Sequence, residues 1–151
     1  MVIANLNTTL IRDRLQVIIE ALNRLEELSK LSLEEYLADY RNPRTTESYL
    51  RHVLEAMFDL GRHILAKTAA KKFIEYKEIA RQLGKNKVIS QGLAERLIPI
   101  AGYRNRIVHY YHEITDEELY GIIQHDLGDI WEFVRGIDAF LQRYSAKEEK
   151  L

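Results

Sequence analysis

The sequence predicts an all-α protein: an antiparallel bundle of four main helices with short helices between them, in a single domain over residues 1–151. Three observations carry this. Leu, Ile, Ala, Glu, Lys and Arg dominate, and these residues lose little on entering a helix. Seven Gly and two Pro in 151 residues are too few for the many tight turns of a sandwich or barrel. Apolar residues recur three and four positions apart through most of the chain, and no stretch of any length alternates as a half-buried strand would.

The first helix is predicted over residues 8–30. Leu10, Leu15, Ile18, Ile19, Leu22, Leu25 and Leu28 recur there at helical spacing, with charges between them. Ser32 followed by Glu35 reads as a capping box opening a short helix, LEEYLADY. Asn42-Pro43 is expected to break the chain. A second major helix follows over 46–68, with Leu50, Val53, Leu54, Met57, Leu60, Ile64 and Leu65 as its buried face. Gly61 sits in that face, where a small residue lets another helix come close. FIEYKEIARQL reads as a shorter helix ended by Gly84, and KNK as a polar turn. Ser90 is placed to cap the next helix, over 91–110, which Pro99 and Gly102 should bend or weaken. Thr115 with Glu118 forms a second capping box, and Asp116 and Glu117 suit the positive end of a helix. One last helix is expected to run to 144, with Leu119, Ile122, Ile123, Leu127, Ile130, Val134, Ile137 and Leu141 inward. SAKEEKL, 145–151, reads as a frayed tail.

Charge and composition narrow the function. Lys+Arg number 22 against 23 Asp+Glu, so the chain does not coat nucleic acid by bulk charge, and any such contact must come from a local patch. No cysteine is present, which excludes disulfides and thiolate metal sites. MVIANLNTTL lacks the basic and apolar regions of a secretion signal, and no run of about 18 apolar residues exists to span a membrane. A cytoplasmic protein is expected.

One stretch departs from this balanced background. YRNRIVHYYH, residues 103–112, holds two arginines, two histidines, three tyrosines and no acid. Arginine grips phosphate with a planar fork of donors. Histidine trades a proton near neutral pH. Tyrosine stacks on a base or offers a hydroxyl for modification. Together these are the parts needed to bind and cut RNA without a metal. The core pattern is Arg104, four residues, His109, one residue, Tyr111. On a straight helix a separation of five turns Arg104 and His109 about 140° apart. Either His109 sits in a distorted last turn, or the two groups meet across a symmetric dimer, which would also double the positive charge at one seam.

This motif resembles the Arg-x4-6-His signature of the HEPN superfamily of helical ribonucleases, and the tyrosine two residues after the histidine resembles the HepT toxins within it. Those toxins are encoded beside a minimal nucleotidyltransferase antitoxin, MntA. Asn105 fits a polar position that directly follows the arginine in the family. The likeness extends over ESYLRHVLEAMFDLGRHILAK, FIEYKEIARQLGKNKVISQGLAERL and DEELYGIIQHDLGDIWEFVRGIDAFL, and so over residues 46–141. It implies a homodimeric ribonuclease that cuts mRNA or tRNA with no cofactor and no metal. Arg104 would hold the scissile phosphate, and His109 would act as general acid or base on attack by the 2′-hydroxyl, leaving a cyclic phosphate. Asn105 would orient the histidine or contact the phosphate. Arg106 and Tyr110 would support RNA binding. Tyr111 would accept AMP from the antitoxin, placing charge and bulk beside Arg104 and His109.

Plainer readings stand beside these. A lone arginine is most often an exposed helix residue, and only the full motif reverses that for Arg104. Arg106 lies four residues before Tyr110 and suits packing or a phosphate contact better than catalysis. Ile107 and Val108 read as core. His109 and His112 have a spacing that can bind zinc on a helix, but Glu113 is the one close acid, so no metal site is assigned. His112 as a second proton carrier is required by nothing in the family pattern. Tyr103, Tyr110 and Tyr111 would partly serve dimer packing. His52, His63 and His125 are scattered, and His63 reads as a satisfied interface histidine. Asp59 would reach a partner chain's active site or simply face water. The rival function is a non-catalytic HEPN scaffold that docks a nucleotidyltransferase; the presence of both Arg104 and His109 favours the enzyme. A bundle binding small nucleotides would want a Gly-rich phosphate loop, and none is present.

Overall fold

The structure is a computed structural model that describes residues 6–69, 73, 75–109 and 114–149, with side chains throughout except at 109 and 146–149. Helix α1, Thr8–Ser29, begins where the Asn7 side chain accepts the Leu10 N–H at 3.0 Å. It turns the stripe Ile11, Leu15, Ile18, Leu22 and Leu25 into the core. Helix α2, Leu33–Ala38, has the full capping box: Glu35 N–H donates to Ser32 Oγ at 3.1 Å, and Ser32 N–H to Glu35 Oε1 at 3.0 Å. Its one buried side chain, Tyr36, donates its hydroxyl to Thr46 at 2.7 Å and so latches α2 to the next helix.

That helix, α3, spans Arg41–Thr68 and starts five residues before the expected boundary. Asn42-Pro43 does not break it. Pro43 falls in the first turn, where a backbone N–H would have no helical acceptor, so the missing donor costs nothing. Asp39 accepts both the Arg41 backbone N–H and its guanidinium, at 3.0 and 2.8 Å, which secures that start.

Helix α4, Tyr76–Lys85, starts later than the sequence suggests and contains Gly84 rather than ending at it. Its stop is a Schellman turn: Val88 N–H reaches the Leu83 carbonyl at 2.9 Å and Lys87 N–H the Gly84 carbonyl at 3.1 Å. Lys87, at φ 59°, takes the left-handed position usually given to glycine. The two glycines serve packing instead. A Cβ on Gly61 would lie 3.0 Å from side-chain carbons of both Ile79 and Leu83, so α4 crosses α3 there. A Cβ on Gly84 would lie 2.6 Å from Ala94 Cβ and collide with the Gln91 side chain, so α5 presses on α4 there.

Helix α5, Gln91–His109, is capped by Ser90, whose hydroxyl accepts the Leu93 N–H at 3.1 Å. It runs unbroken past Gly102 and past Pro99, which lies exposed on it. The single last helix expected from the sequence is two, α6 Asp116–His125 and α7 Leu127–Glu149, parted at Asp126. The apolar period continues in register across that joint, which is why periodicity alone reads through it. The second capping box is half made: Thr115 accepts the Glu118 N–H at 3.1 Å, while the Glu118 carboxylate turns to Arg106. Helix α7 continues to Glu149, through residues that read as a frayed tail.

The long helices α1, α3, α5 and α7 form the bundle and α2, α4 and α6 fill in between them. Helix α1 packs chiefly on α3 and α4 chiefly on α5; α3 joins the two pairs, and α7 closes against α1 and α5. Among the described residues no strand occurs, and no helix is long and apolar enough to cross a membrane.

Candidate functional site

Helix α5 presents the basic motif, and its side chains leave in three directions. Ile107, 1% exposed, anchors the helix in the core. Val108, expected to share that role, is only half-buried. Tyr103 and Arg106, one turn apart, face α6 and the α6–α7 joint. Arg106 makes a bidentate ion pair with Glu118, one arm at 3.1 Å and the other to Oε2. The Tyr103 hydroxyl lies beside the Asp126 carboxylate. Burial, then the Asp126 charge, raises the tyrosine's pKa; burial, then the charge of Asp129, raises that of Asp126. The phenol therefore keeps its proton and can donate it to that carboxylate, which ties α5 to the joint.

Arg104 goes the other way, to α4. Its guanidinium carbon lies 4.1 Å from the ring centre of Tyr76, the first residue of α4. The Tyr76 ring is in turn braced by buried Phe58 of α3, with ring centres 5.3 Å apart in an edge-on arrangement. Arg104 has no carboxylate partner among the described residues, and its Nε is covered from solvent with no acceptor. Arg44, Arg62, Arg96 and Arg106, by contrast, all reach acids. Leaving a covered guanidinium donor unmatched is unfavourable, and the ring face offsets only part of the loss. What remains is a fixed, unneutralised fork, the state in which an arginine best accepts a phosphate.

Asn105 is half-buried beside Arg104, and its side chain makes no hydrogen bond among the described residues. The backbone of α5 stays helical through His109, and five helical positions turn its Cα about 140° around the axis from that of Arg104. The His109 side chain, and Tyr110, Tyr111, His112 and Glu113 entirely, lie outside the described residues. The structure thus places Arg104, Asn105 and Arg106 on one helix, with Arg104 and Arg106 turned to different neighbours.

A second polar group lines a groove between α1 and α3, where Arg14, Asp59, Arg62 and His63 meet Leu10 and Leu60. The His63 ring is half-buried, and its Nε2 is fully covered and unpartnered within this chain's described residues. Burial, helped by the Lys67 charge, pushes its pKa down and keeps it neutral. Asp59 pairs with Arg62 at 3.4 Å. Among the described residues no cluster of His, Asp or Glu is arranged to hold a metal.

Sequence reasoning missed Tyr76, Glu118 as the partner of Arg106, and Asp126. Glu118 was visible only as a capping residue. Nothing local marks Tyr76 as an arginine platform, since the contact joins two helices.

Comparison with known proteins follows the same lines. The family model described as "Ribonuclease HepT-like" matches residues 18–137. The chain is 31% identical over 137 residues to the tRNA nuclease HepT of Aphanizomenon flos-aquae, covering 91% of this chain and 93% of that protein. It is 29% identical over 90 residues to the mRNA nuclease HepT of Shewanella oneidensis, covering 60% and 68%. Among solved structures it shares its fold with a tri-AMPylated Shewanella oneidensis HEPN toxin in complex with MNT antitoxin. The TM-score is 0.76 at 23% identity, covering 86% of this chain and 97% of that one.

Proposed function

Because the chain belongs to the HepT-like ribonuclease family, we propose that it is the toxin ribonuclease of a toxin–antitoxin pair. It cuts RNA endonucleolytically, without a metal, at a site joining Arg104 and His109 across a dimer interface. The observation that carries this is Arg104 itself, a half-buried guanidinium held on an aromatic ring with no acid to neutralise it among the described residues. Such a group keeps its charge uncancelled by those neighbours, and its terminal N–H groups are left for a phosphodiester. Arg104 holds the scissile phosphate and stabilises charge on it as the 2′-hydroxyl attacks. His109 serves as general acid or base, and the products are a cyclic phosphate and a free hydroxyl. Asn105 orients the histidine or touches the phosphate. Arg106 and Tyr110 support RNA; for Arg106 this requires phosphate to displace Glu118 from its fork.

The relatives' names support RNA as substrate, one a tRNA nuclease and the other an mRNA nuclease. The AMPylated toxin solved with its antitoxin supports regulation by an MntA-type nucleotidyltransferase, which here transfers AMP to Tyr111. The 140° divergence of Arg104 and His109 on an unbroken helix supports a site completed by a second copy.

Incubation of the pure protein with tRNA and mRNA in EDTA tests this. Discrete cuts are expected. Arg104→Ala and His109→Ala should each lower the rate by about 10²–10⁴, and Arg104→Lys should recover little because lysine lacks the fork. Cleavage lost in EDTA and restored by a divalent ion overturns the metal-free mechanism. A His109→Ala variant that cuts at the wild-type rate removes the catalytic assignment.

A further inference from the structure

We propose that Tyr76 is the positioning residue for Arg104: its ring face holds the guanidinium in place without taking up any of its donors. The proposal rests on the reading of Arg104 as the phosphate-binding group.

The two arginines over this ring show why the ring matters for one of them. Arg62 lies 5.6 Å from the ring centre, but it is pinned independently, by Nε donating to the Phe73 carbonyl at 3.2 Å and by its pair with Asp59. Arg104, at 4.1 Å, has no such tether among the described residues, and its Nε is covered without an acceptor. The ring contact is therefore what orients it. An unrestrained arginine samples many rotamers, and that freedom must be lost before phosphate can bind. A carboxylate would also hold the side chain still, but it would occupy the fork and cancel the charge that phosphate needs. An aromatic face restrains the cation while leaving its N–H edge open.

The ring is suited to the task because it is itself fixed. Phe58, 2% exposed, meets it edge-on, and Tyr76 opens a helix locked onto α3 at Gly61. Its hydroxyl makes no hydrogen bond among the described residues, so the contribution lies in the ring. Sequence comparison alone would see only a tyrosine at a helix start.

Two measurements decide the matter. The first is the NMR resonance of Arg104 Nε–Hε, assigned by its loss in Arg104→Ala. It should carry an upfield ring-current shift in the wild type, keep it in Tyr76→Phe, and lose it in Tyr76→Leu or Tyr76→Met. The second is cleavage of tRNA. Tyr76→Leu should lower kcat about tenfold, and Tyr76→Phe should recover most of that loss because the face is retained. The two apolar variants still pack on Phe58, so their thermal midpoints should stay near that of Tyr76→Phe; a purely structural role would move them apart. An unshifted wild-type resonance, or an apolar variant that folds and cuts at the wild-type rate, overturns the proposal. If the wild type cuts no RNA, the proposed function fails while the resonance still decides whether Tyr76 holds Arg104.

Discussion

Tyr111 follows His109 by two positions in the sequence, and on the proposed function AMP attached to it competes with RNA for Arg104. A transferred AMP adds about one negative charge per phosphate, which a guanidinium binds as readily as it binds RNA. Stacking on a base needs only the ring, whereas modification needs the hydroxyl. Tyr111→Phe should therefore still cut RNA yet escape silencing by an MntA-type nucleotidyltransferase. Mass spectrometry after coexpression should show additions of about 329 Da on the wild type and none on the variant. A wild type that is unmodified yet fully inhibited would mean the antitoxin acts by occlusion alone. At this scale the candidate residues stand out before the fold: Arg104, Asn105, His109 and Tyr111 are marked by residue type and spacing. The state of each group is not. Arg106 looks like Arg104 on paper, but one fork is closed by Glu118 and the other lies open on Tyr76. That difference arises from which neighbouring helix each side chain meets.

At the scale of elements, the seam between α4 and α5 aligns the site, since one helix carries Tyr76 and the other Arg104. Gly84 sets how closely they approach. Gly84→Ala should gain up to about 1 kcal/mol in helix propensity and lose about 1–3 kcal/mol to overpacking against Ala94. The net expectation is destabilisation, read as a lower denaturant midpoint with an unchanged slope. Gly121, in the middle of α6, has open space around its would-be Cβ, so Gly121→Ala should stabilise by about 0.5–1 kcal/mol. Equal effects from the two substitutions would refute the packing account of Gly84. Helix α1, the capping box of α2 and the Ser90 cap of α5 agree with what spacing and caps predict, because these signals act within a few residues. The start of α3 through Pro43, the Schellman stop at Lys87 and the break at Asp126 do not follow from the same rules. In the first case proline's harm depends on its position within the turn, in the second a lysine does a glycine's work, and in the third the apolar register crosses the joint unchanged.

For the whole molecule, Arg104 and His109 lie five positions apart on the unbroken backbone of α5, so the proposed site is expected to take two chains. Light scattering should give about twice 17.7 kDa at micromolar concentration. A sharper test mixes two inactive variants. If each site takes Arg104 from one protomer and His109 from the other, an Arg104→Ala protomer paired with a His109→Ala protomer rebuilds one intact site, and about half the wild-type activity per dimer should return. No recovery in a confirmed mixed dimer would place both residues of a site in one chain.

By itself the sequence determined an all-helical chain, the buried stripes of its main helices, and a motif whose residue types suit metal-free RNA cleavage. These are local properties, written in spacings of three, four and five residues and in the chemistry of single side chains. The tertiary structure alone decided that α4 brings Tyr76 beneath Arg104, that Glu118 and Asp126 tie the opposite side of α5, and that Gly61 and Gly84 are points of close approach rather than breaks. Each of these depends on where helices far apart in sequence cross. A crossing is set by the packed shapes of both partners together, and no window along one chain segment contains both.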